Sequence, residues 1–236
     1  MYNQIVSIYS EIFPTNEDFV AFITACLGPS GSSVLDLGCG PGDYVDLFSK
    51  SGYRVAGIDS SQLMIEHARK TKQGAFYPYS FEEIGKLEES FHCIFSIGNS
   101  LSYLPGKQRQ GFLAHIFSMQ KEGGKLVVQV INWDQYLLSG FKDFDVKTLR
   151  DGRKFHRRFE RTPEDVVLFH TELRLGEKIL EAWSAPLYPI ISENFKKELA
   201  YAGYSISGIY GDYKKTPFIP GSSPALIVTA EKSLTG

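Results

Sequence analysis

Three glycines at alternate positions, Gly38, Gly40 and Gly42, follow the apolar run Val34-Leu35-Asp36-Leu37 and lead into a helix-like segment. At a strand-to-helix turn, glycine permits positive φ and bares the backbone beside the positive end of the helix dipole, where a ligand can approach closely. One glycine would make the turn; three in alternation leave a groove. The dinucleotide fingerprint GxGxxG is the nearest comparison, but here the pattern is GxGxG, with Asp43 where that fingerprint places a small residue. A carboxylate at the turn, Asp36 or Asp43, repels a pyrophosphate and attracts an ammonium or sulfonium. A cationic ligand is therefore favoured over a nicotinamide dinucleotide. Asp59, closing the next apolar run Tyr53-Arg54-Val55-Ala56-Gly57-Ile58, suits the two hydroxyls of a ribose and does not discriminate between the two ligands.

These residues must be positioned by the elements around them. Short β-rich runs at Ser33 to Leu37, Tyr53 to Ile58, Ala75 to Tyr79, Cys93 to Ile97 and Lys125 to Ile131 alternate with helix-like segments at Gly42 to Lys50, Ser61 to Lys70 and Gly106 to Lys121. Strand, helix, strand in repetition predicts parallel pairing with right-handed crossovers, hence an α/β, Rossmann-like doubly wound sheet. At the end, a helix over Ser192 to Ala202 with Ser192 as N-cap precedes Tyr204 to Tyr210 and Ala225 to Ala230, which predict a C-terminal antiparallel hairpin. Between residues 132 and 191 the alternation stops. Lys154 to Arg161, Val167 to Leu175 and Ile179 to Ala185, with turns at Thr162-Pro163-Glu164-Asp165 and Gly176-Glu177, predict an inserted small antiparallel β subdomain over the ends of the parallel strands. The expected division is residues 1–131 and 192–236 for the Rossmann-like domain and 132–191 for a substrate cover.

Composition narrows the function classes. Lys plus Arg number 25 against 27 Asp plus Glu, a net charge of −2 that provides no general attraction to nucleic acid or an anionic membrane. Cys26, Cys39 and Cys93 are odd in number and far apart, with no CxxC, which disfavours a disulfide framework or a zinc site. The N-terminal residues lack the pattern of a signal peptide, and no run is long enough to span a membrane, so a cytoplasmic location is expected.

The glycine turn and its surroundings resemble the class I S-adenosylmethionine (AdoMet)-dependent methyltransferases. VLDLGCGPG, residues 34–42, is similar to that family's first motif, and GIDSSQLMIEHARK, residues 57–70, to its second. The resemblance implies AdoMet as methyl donor, S-adenosylhomocysteine as product, and no metal. Carried over by position, Gly38, Cys39, Gly40 and Gly42 would line the methionine and ribose, Asp36 would approach the amino end, Asp59 with Ser60 would meet the ribose hydroxyls, and Met64 would press on the adenine. After the third strand many members carry an acidic residue; this chain has Tyr79-Ser80-Phe81, with Glu82 and Glu83 only afterwards, which leaves Ser80, Phe81 or the backbone for the adenine edge. The stretch Gly98-Asn99-Ser100-Leu101-Ser102-Tyr103-Leu104 resembles the GNSLxYL segment of small-molecule N-methyltransferases, including those that methylate glycine and sarcosine. The motifs cover about the first 131 residues, and the insertion is matched only in kind.

Methyl transfer from a sulfonium is an in-line displacement of an already activated donor, so the protein supplies mainly proximity and alignment. At the carboxyl ends of the parallel strands the available groups include the Gly98 carbonyl, Asn99, Ser100 and Tyr103, and Asn99, Tyr103 and Tyr9 are the candidates to do so. Asn99 has two readings, orienting the acceptor or closing a turn. Tyr9 lies on an expected helix Tyr2 to Phe13, on the same face as Tyr2, as a lid or as packing. His115 reads as structural. The cluster Arg150, Arg153, Lys154, His156, Arg157, Arg158 and Arg161 reads either as a charged edge strand or as recognition of an anionic acceptor; Trp133, Tyr136 and Trp183 are wall or core. The expectation is a methyltransferase acting on a nitrogen, less on an oxygen, of a small molecule. The alternatives are a non-catalytic AdoMet-binding regulator and a methyltransferase of RNA or protein.

Overall fold

The computed structural model describes residues 2–140 and 144–233, residues 2–4 by backbone alone. A 3-10 helix over Tyr2–Ile8 passes into one α-helical turn, α1 (Tyr9–Ile12), and then α2 (Glu17–Thr24). The alternating part follows as β1 (Ser33–Leu37), α3 (Asp43–Lys50), β2 (Arg54–Ile58), α4 (Gln62–Thr71), β3 (Ala75–Tyr77), β4 (Phe91–Ser96), α5 (Gly106–Met119) and β5 (Gln120–Ile131), with 3-10 turns at Phe81–Lys86 and Ser100–Tyr103. Next come α6 (Trp133–Ser139), β6 (Lys147–Thr148), β7 (Lys154–Arg161), β8 (Val167–Leu175) and β9 (Lys178–Leu187). The described chain closes with α7 (Ser192–Tyr201), β10 (Tyr204–Tyr210) and β11 (Ala225–Lys232).

The seven-stranded sheet has the order β10-β11-β5-β4-β1-β2-β3. Strands β1 to β5 pair in parallel, and β11 runs antiparallel between β5 and β10. The expected α/β architecture with a C-terminal hairpin is what forms. Every residue of β1 is buried, as a central parallel strand covered on both faces requires. Because β1 lies between β4 and β2, the chain leaves its end toward one side and β4 leaves toward the other. That divergence opens the crevice in which open α/β sheets place ligands.

The second sheet, β6-β7-β8-β9, is antiparallel, with turns where the sequence places them. Val167, Phe169, Thr171 and Leu173 of β8 are buried and their alternating neighbours half-buried, the period-two pattern of a one-faced strand; Leu175 is exposed at the turn. Its inner face meets the rest of the chain in two places. Phe159, Val167, Phe169 and Leu187 join the main core beside Trp133, and Phe155 and Leu173 pack with Ile5, Ile8 and Ile12 of the N-terminal segment.

Several local expectations are corrected. The N-terminal helix is 3-10 over most of its length, and the Tyr2 side chain lies outside the described residues. Helix α2 was not anticipated, although Asn16 caps it by accepting from the Phe19 N–H at 2.9 Å. The stretch after residue 132 opens with a helix, α6, capped by Asn132, which accepts from the Gln135 N–H. Ser192 is the first residue of α7, not its N-cap: its N–H and hydroxyl both donate to the carboxylate of Asp134 on α6, at 3.0 and 3.3 Å. A carboxylate from another helix thus satisfies an orphan amide that the sequence assigns to a local cap. His115 lies exposed on α5.

Helices α5 and α7 are joined by Arg109, whose guanidinium meets Glu198 in a two-pronged pair at 2.7 and 2.9 Å and reaches the Leu104 carbonyl. Arg109 is buried and Glu198 partly accessible to water, so the carboxylate can rehydrate when its partner is lost. Arg109→Met is expected to lower unfolding free energy by about 2 kcal/mol, below the roughly 3–5 kcal/mol of a fully buried broken pair. Denaturant titration of both single variants and the double variant checks it through the coupling energy.

Candidate active site

The turn after β1 is held against β2. Gly38 and Cys39 both donate N–H to the Ile58 carbonyl at 2.9 Å, and Gly40 donates to Asp59 Oδ2 at 2.9 Å. The other Asp59 oxygen accepts from the Ser61 N–H at 2.8 Å, and Ser61 caps α4 through the Met64 N–H. Gly38 and Gly42 both have positive φ, 85° and 83°. A Cβ on Gly38 would fall 2.6 Å from Ser100 Oγ, and one on Gly42 2.4 Å from the Phe76 ring. Gly38 therefore admits the β4 turn to the end of β1, while Gly42 lets α3 pack on β3 and lines none of the described cavities.

Two carboxylates dominate the electrostatics. Asp36 is 2% exposed and has no hydrogen-bond partner among the described residues. Burial, and then the charge of Asp59, push its carboxyl well above the ordinary range. Burial also raises Asp59, against the pull of the Ser61 and Gly40 amides. Asp43, the other acidic candidate at the turn, is bound by the Ser10 hydroxyl at 2.5 Å and by Lys72 at 2.6 Å. Of the two acidic residues at the turn, Asp36 is the one left without a partner among the described residues.

Three cavities converge on Gly98. One of about 270 Å³ is bounded by Gly38 and Gly40, by Asp59, Ser60 and Met64, and by the segment Tyr79, Ser80, Phe81 and Glu82. A second of about 600 Å³ has Asp36, Gly38 and Cys39 on its floor and the 13–16 loop and the β10–β11 connection as walls. A third of about 230 Å³ runs from Gly98, Asn99 and Tyr103 along Gln129 and Ile131 to Phe144, Arg157 and Phe159 of the insertion. Tyr9 and Ser100 line the first two, and Tyr103 the first and third. Of the expected cofactor-binding and catalytic residues, only Gly42 stays outside all three. Ser100, expected among the groups at the strand ends, lines two of them, while Tyr79, Glu82 and Gln129 were not assigned. Glu82 was visible as a nearby acid, but Gln129 carries no local signal, since it reaches the site only when β4 and β5 are aligned.

Gly98 and Asn99 are successive left-handed residues, φ 66° and 69°. Three hydrogen bonds clamp this turn: the Gly98 N–H donates to Gln129 Oε1 at 2.7 Å, and Asn99 Oδ1 accepts from the Ser102 hydroxyl at 2.7 Å and the Ile131 N–H at 3.1 Å. The network continues inward, as Trp133 Nε1 donates to Ser102 Oγ and the Tyr188 N–H to the Ser102 carbonyl. The Asn99 side-chain oxygen is thus committed to holding the turn. Trp133 and Tyr136 pack on Phe159, and Trp183 on Phe155, so none of the three walls a described cavity; Phe144, Phe159 and Phe169 do.

Tyr9 is the cover over the glycine turn, its ring 3.4 Å from where a Gly40 Cβ would stand. Its segment is pinned on one side by Ser10 to Asp43 and by the Asn16 N–H to the Tyr44 hydroxyl, and on the other by Lys147 to the Ile12 carbonyl and by the Arg150 N–H to Glu11. Of the insertion's basic cluster, Arg153 pairs with Asp151, Arg158 with Glu160 and Arg161 with Asp165; Arg157 alone lines the third cavity. Among the described residues no group of three metal-ligating side chains is present.

The clamp on Asn99 makes a stability prediction. Asn99→Ala strands two buried donors and places a Cβ-bearing residue without a compensating bond in the left-handed region, at an expected cost of about 2–4 kcal/mol. Asn99→Asp retains both acceptor positions and is expected to lose less than half of that. Thermal and denaturant unfolding of the two variants, side by side, decides it.

Comparison with known proteins adds to this geometry. A family described as a methyltransferase domain matches residues 34–124, from β1 into β5. The dTDP-3-amino-3,4,6-trideoxy-alpha-D-glucopyranose N,N-dimethyltransferase of Streptomyces venezuelae is 31% identical over 55% of this chain and 54% of its own length, so the match spans about half of that relative. Rat glycine N-methyltransferase is 27% identical, over 80% of this chain and 75% of its own. In fold, the crystal structure of an S-adenosylmethionine-dependent methyltransferase from Clostridium acetobutylicum superposes with a TM-score of 0.81 at 16% identity, covering 99% of each chain. A glycine-rich turn after β1, an acidic residue ending β2 and a matching domain over the same strands lead to one conclusion: residues 34–124 are a methyltransferase domain, similar to those of AdoMet-dependent methyltransferases.

Proposed function

We propose that the chain transfers a methyl group from AdoMet to an amine nitrogen of a small acceptor bound between Gly98 and the inserted sheet. The observation that carries this reading is the convergence of three cavities at Gly98. The residues present suit the donor. The first cavity, of about 270 Å³, has Asp59 beside the glycine turn; each Asp59 oxygen keeps a lone pair beyond its amide bond with which to accept from a ribose hydroxyl. Met64, Tyr79 and Phe81 are the apolar faces for the base, and Ser80 or Glu82 the partner for its edge. Glu83 is less suited, being engaged with Lys86 and the Ser80 N–H. Asp36, buried and unpartnered, suits the cationic methionine end, with Gly38, Cys39 and Gly40 alongside.

When bound, AdoMet supplies an activated methyl group on a positively charged sulfur. The chain's part is to align and to exclude water. The left-handed turn presents the Gly98 carbonyl at the junction of the cavities, where it would accept a hydrogen bond from an amine and orient its lone pair; Asn99 holds that carbonyl in place. Tyr103 and Tyr9 border the same junction, Tyr9 as the lid. No side chain at the junction need act as a strong base, because an unprotonated amine is already nucleophilic and sheds its proton to solvent after transfer. Nitrogen rather than oxygen follows from the amine-methylating relatives and from this absence of need. Arg157 at the far end of the third cavity suits an anionic group on the acceptor. The inserted sheet, with residues 132–191, serves as the substrate cover. Three free thiols suit a reducing, cytoplasmic setting.

Calorimetric titration with AdoMet and S-adenosylhomocysteine, followed by a screen of small amines, aminosugars and amino acids for methyl transfer, tests the reading. Turnover of an amine supports it; tight AdoMet binding with no turnover of any amine or alcohol would replace it with a binding role. Asp36 supplies a sharper test. Its carboxyl is raised by burial, so folding favours the protonated form relative to the unfolded chain: stability is full below the ordinary carboxylate range and falls as pH rises through the raised value. A cationic ligand requires the ionised form, so AdoMet affinity rises across the same window. Asp36→Asn is expected to raise the melting temperature of the ligand-free protein at neutral pH, weaken AdoMet by about 1.5–3 kcal/mol and flatten the pH dependence of both.

A further inference from the structure

The walls of the third cavity, about 230 Å³ between Gly98 and the inserted sheet, bear on what the acceptor is. Register places Phe159 of β7 opposite Phe169 of β8, and Val167, two residues before Phe169, opposite Leu187 of β9. Phe159, Phe169 and Leu187 therefore stand on one face of the sheet, the face that lines the cavity. Phe144 lies edge-on to two of them, its ring centre 4.8 Å from that of Phe159 at 70° and 6.1 Å from that of Phe169 at 73°. Phe13 of the N-terminal segment and Tyr103 of the turn after β4 bring two more rings to the same space. Phe159 and Phe169 also belong to the main core, but a cluster made for packing alone would close on itself, since interiors leave few voids larger than a water molecule. Here the rings border open volume, and Phe13 and Phe144 are only half-buried.

The polar groups at the Gly98 end are largely committed. Gln129 Oε1 is taken by the Gly98 N–H, and Asn99 Oδ1 by the Ser102 hydroxyl and the Ile131 N–H. A ligand carrying several hydroxyls, or an ammonium and a carboxylate on one carbon, would leave water and find few partners in exchange, which costs free energy at each unmade bond. A flat ring gives up no hydrogen bonds on entry and gains edge-to-face contacts from walls already arranged that way. Size points the same way. The volume lies below the roughly 300–1,000 Å³ of pockets for drug-sized ligands, so it admits one ring and a short arm.

Resting on the N-methylation reading, we propose that the acceptor is an aromatic amine, its nitrogen attached to an aryl ring directly or through one carbon, with the ring against Phe144, Phe159 and Phe169 and an N–H donated to the Gly98 carbonyl. The phenyl walls select the acceptor and the carbonyl orients its nitrogen. Because Phe13 belongs to the N-terminal segment and the other three phenylalanines to the insertion, both parts of the cover contribute to that selection.

The test measures methyl transfer at saturating AdoMet to aniline, benzylamine, glycine and an aminohexose, in the wild type, Phe144→Leu and Phe144→Tyr. Residue 144 is half-buried, and AdoMet titration of each protein by calorimetry checks that the donor site is intact. The better of the two aryl amines is expected to exceed both glycine and the aminohexose by about tenfold or more in kcat/KM. Phe144→Leu, which keeps an apolar side chain and removes the ring, is expected to lower that preference roughly fivefold through KM, while Phe144→Tyr holds it within about twofold. Preference for glycine or the aminohexose, or a preference indifferent to Phe144→Leu, overturns the proposal and leaves N-methylation standing. Methylation of no amine despite AdoMet binding overturns the N-methylation reading, and calorimetry of benzylamine against the protein saturated with S-adenosylhomocysteine then separates the two. Binding that Phe144→Leu weakens keeps the cavity as an aryl site, and absence of binding overturns that assignment as well.

Discussion

The close approach of two strand ends is the constraint on which the site depends. β1 and β4 are neighbours, and the turns that leave them touch at Gly38 and Ser100, a contact that no side chain larger than hydrogen at residue 38 would allow. The chain beyond β4 then runs through two left-handed residues, a conformation that costs free energy at Asn99 and persists because Gln129 and the Asn99 side chain bind it to β5. The cavity at Asp59, the cavity at Asp36 and the insertion-facing cavity all take one wall from this turn. Loosening it would disturb all three at once, which is why the hydrogen bonds of Asn99 and Ser102 continue inward to Trp133 and outward to the Tyr188 amide after β9.

Stability and binding oppose each other at Asp36. A carboxylate without a hydrogen-bond partner inside the sheet, close to a second carboxylate, is unfavourable in the ligand-free chain. Asp43, one turn further on, is an acidic residue of the same kind made harmless by Lys72 and Ser10. The contrast separates a carboxyl left without a partner from one bound into the fold. The Arg109–Glu198 pair on the far side of the sheet is of the second kind, joining α5 to α7 without reaching any described cavity.

The inserted sheet and the N-terminal segment form one cover rather than two. Phe155 and Leu173 bury the apolar face of the 3-10 helix and α1, and backbone groups on each side bind charged groups of the other. The segment carrying Tyr9 is thereby fixed to the insertion as well as to the α3 end of the Rossmann-like unit. Movement of the lid is therefore linked to movement of the sheet, and opening for ligand exchange would carry both.

The sequence by itself determined the parallel strands, the glycine turn, the acidic end of β2 and the class of ligand, because these depend on local periodicity and on backbone freedom at single positions. The hairpins of the insertion were legible for the same reason, through period-two alternation and turn residues. It did not determine that Gly42 packs against Phe76 instead of lining a cavity, that Asp36 and not Asp43 is left without a partner, or that Asn99 is a clamp. Nor did it show that Arg157, alone of its cluster, lines the third cavity, or that Gln129 borders the site. Each of these depends on a partner dozens of residues away, brought near only by strand order and register. What a side chain is bonded to, and hence whether it is free to meet a substrate, is a property of that packing.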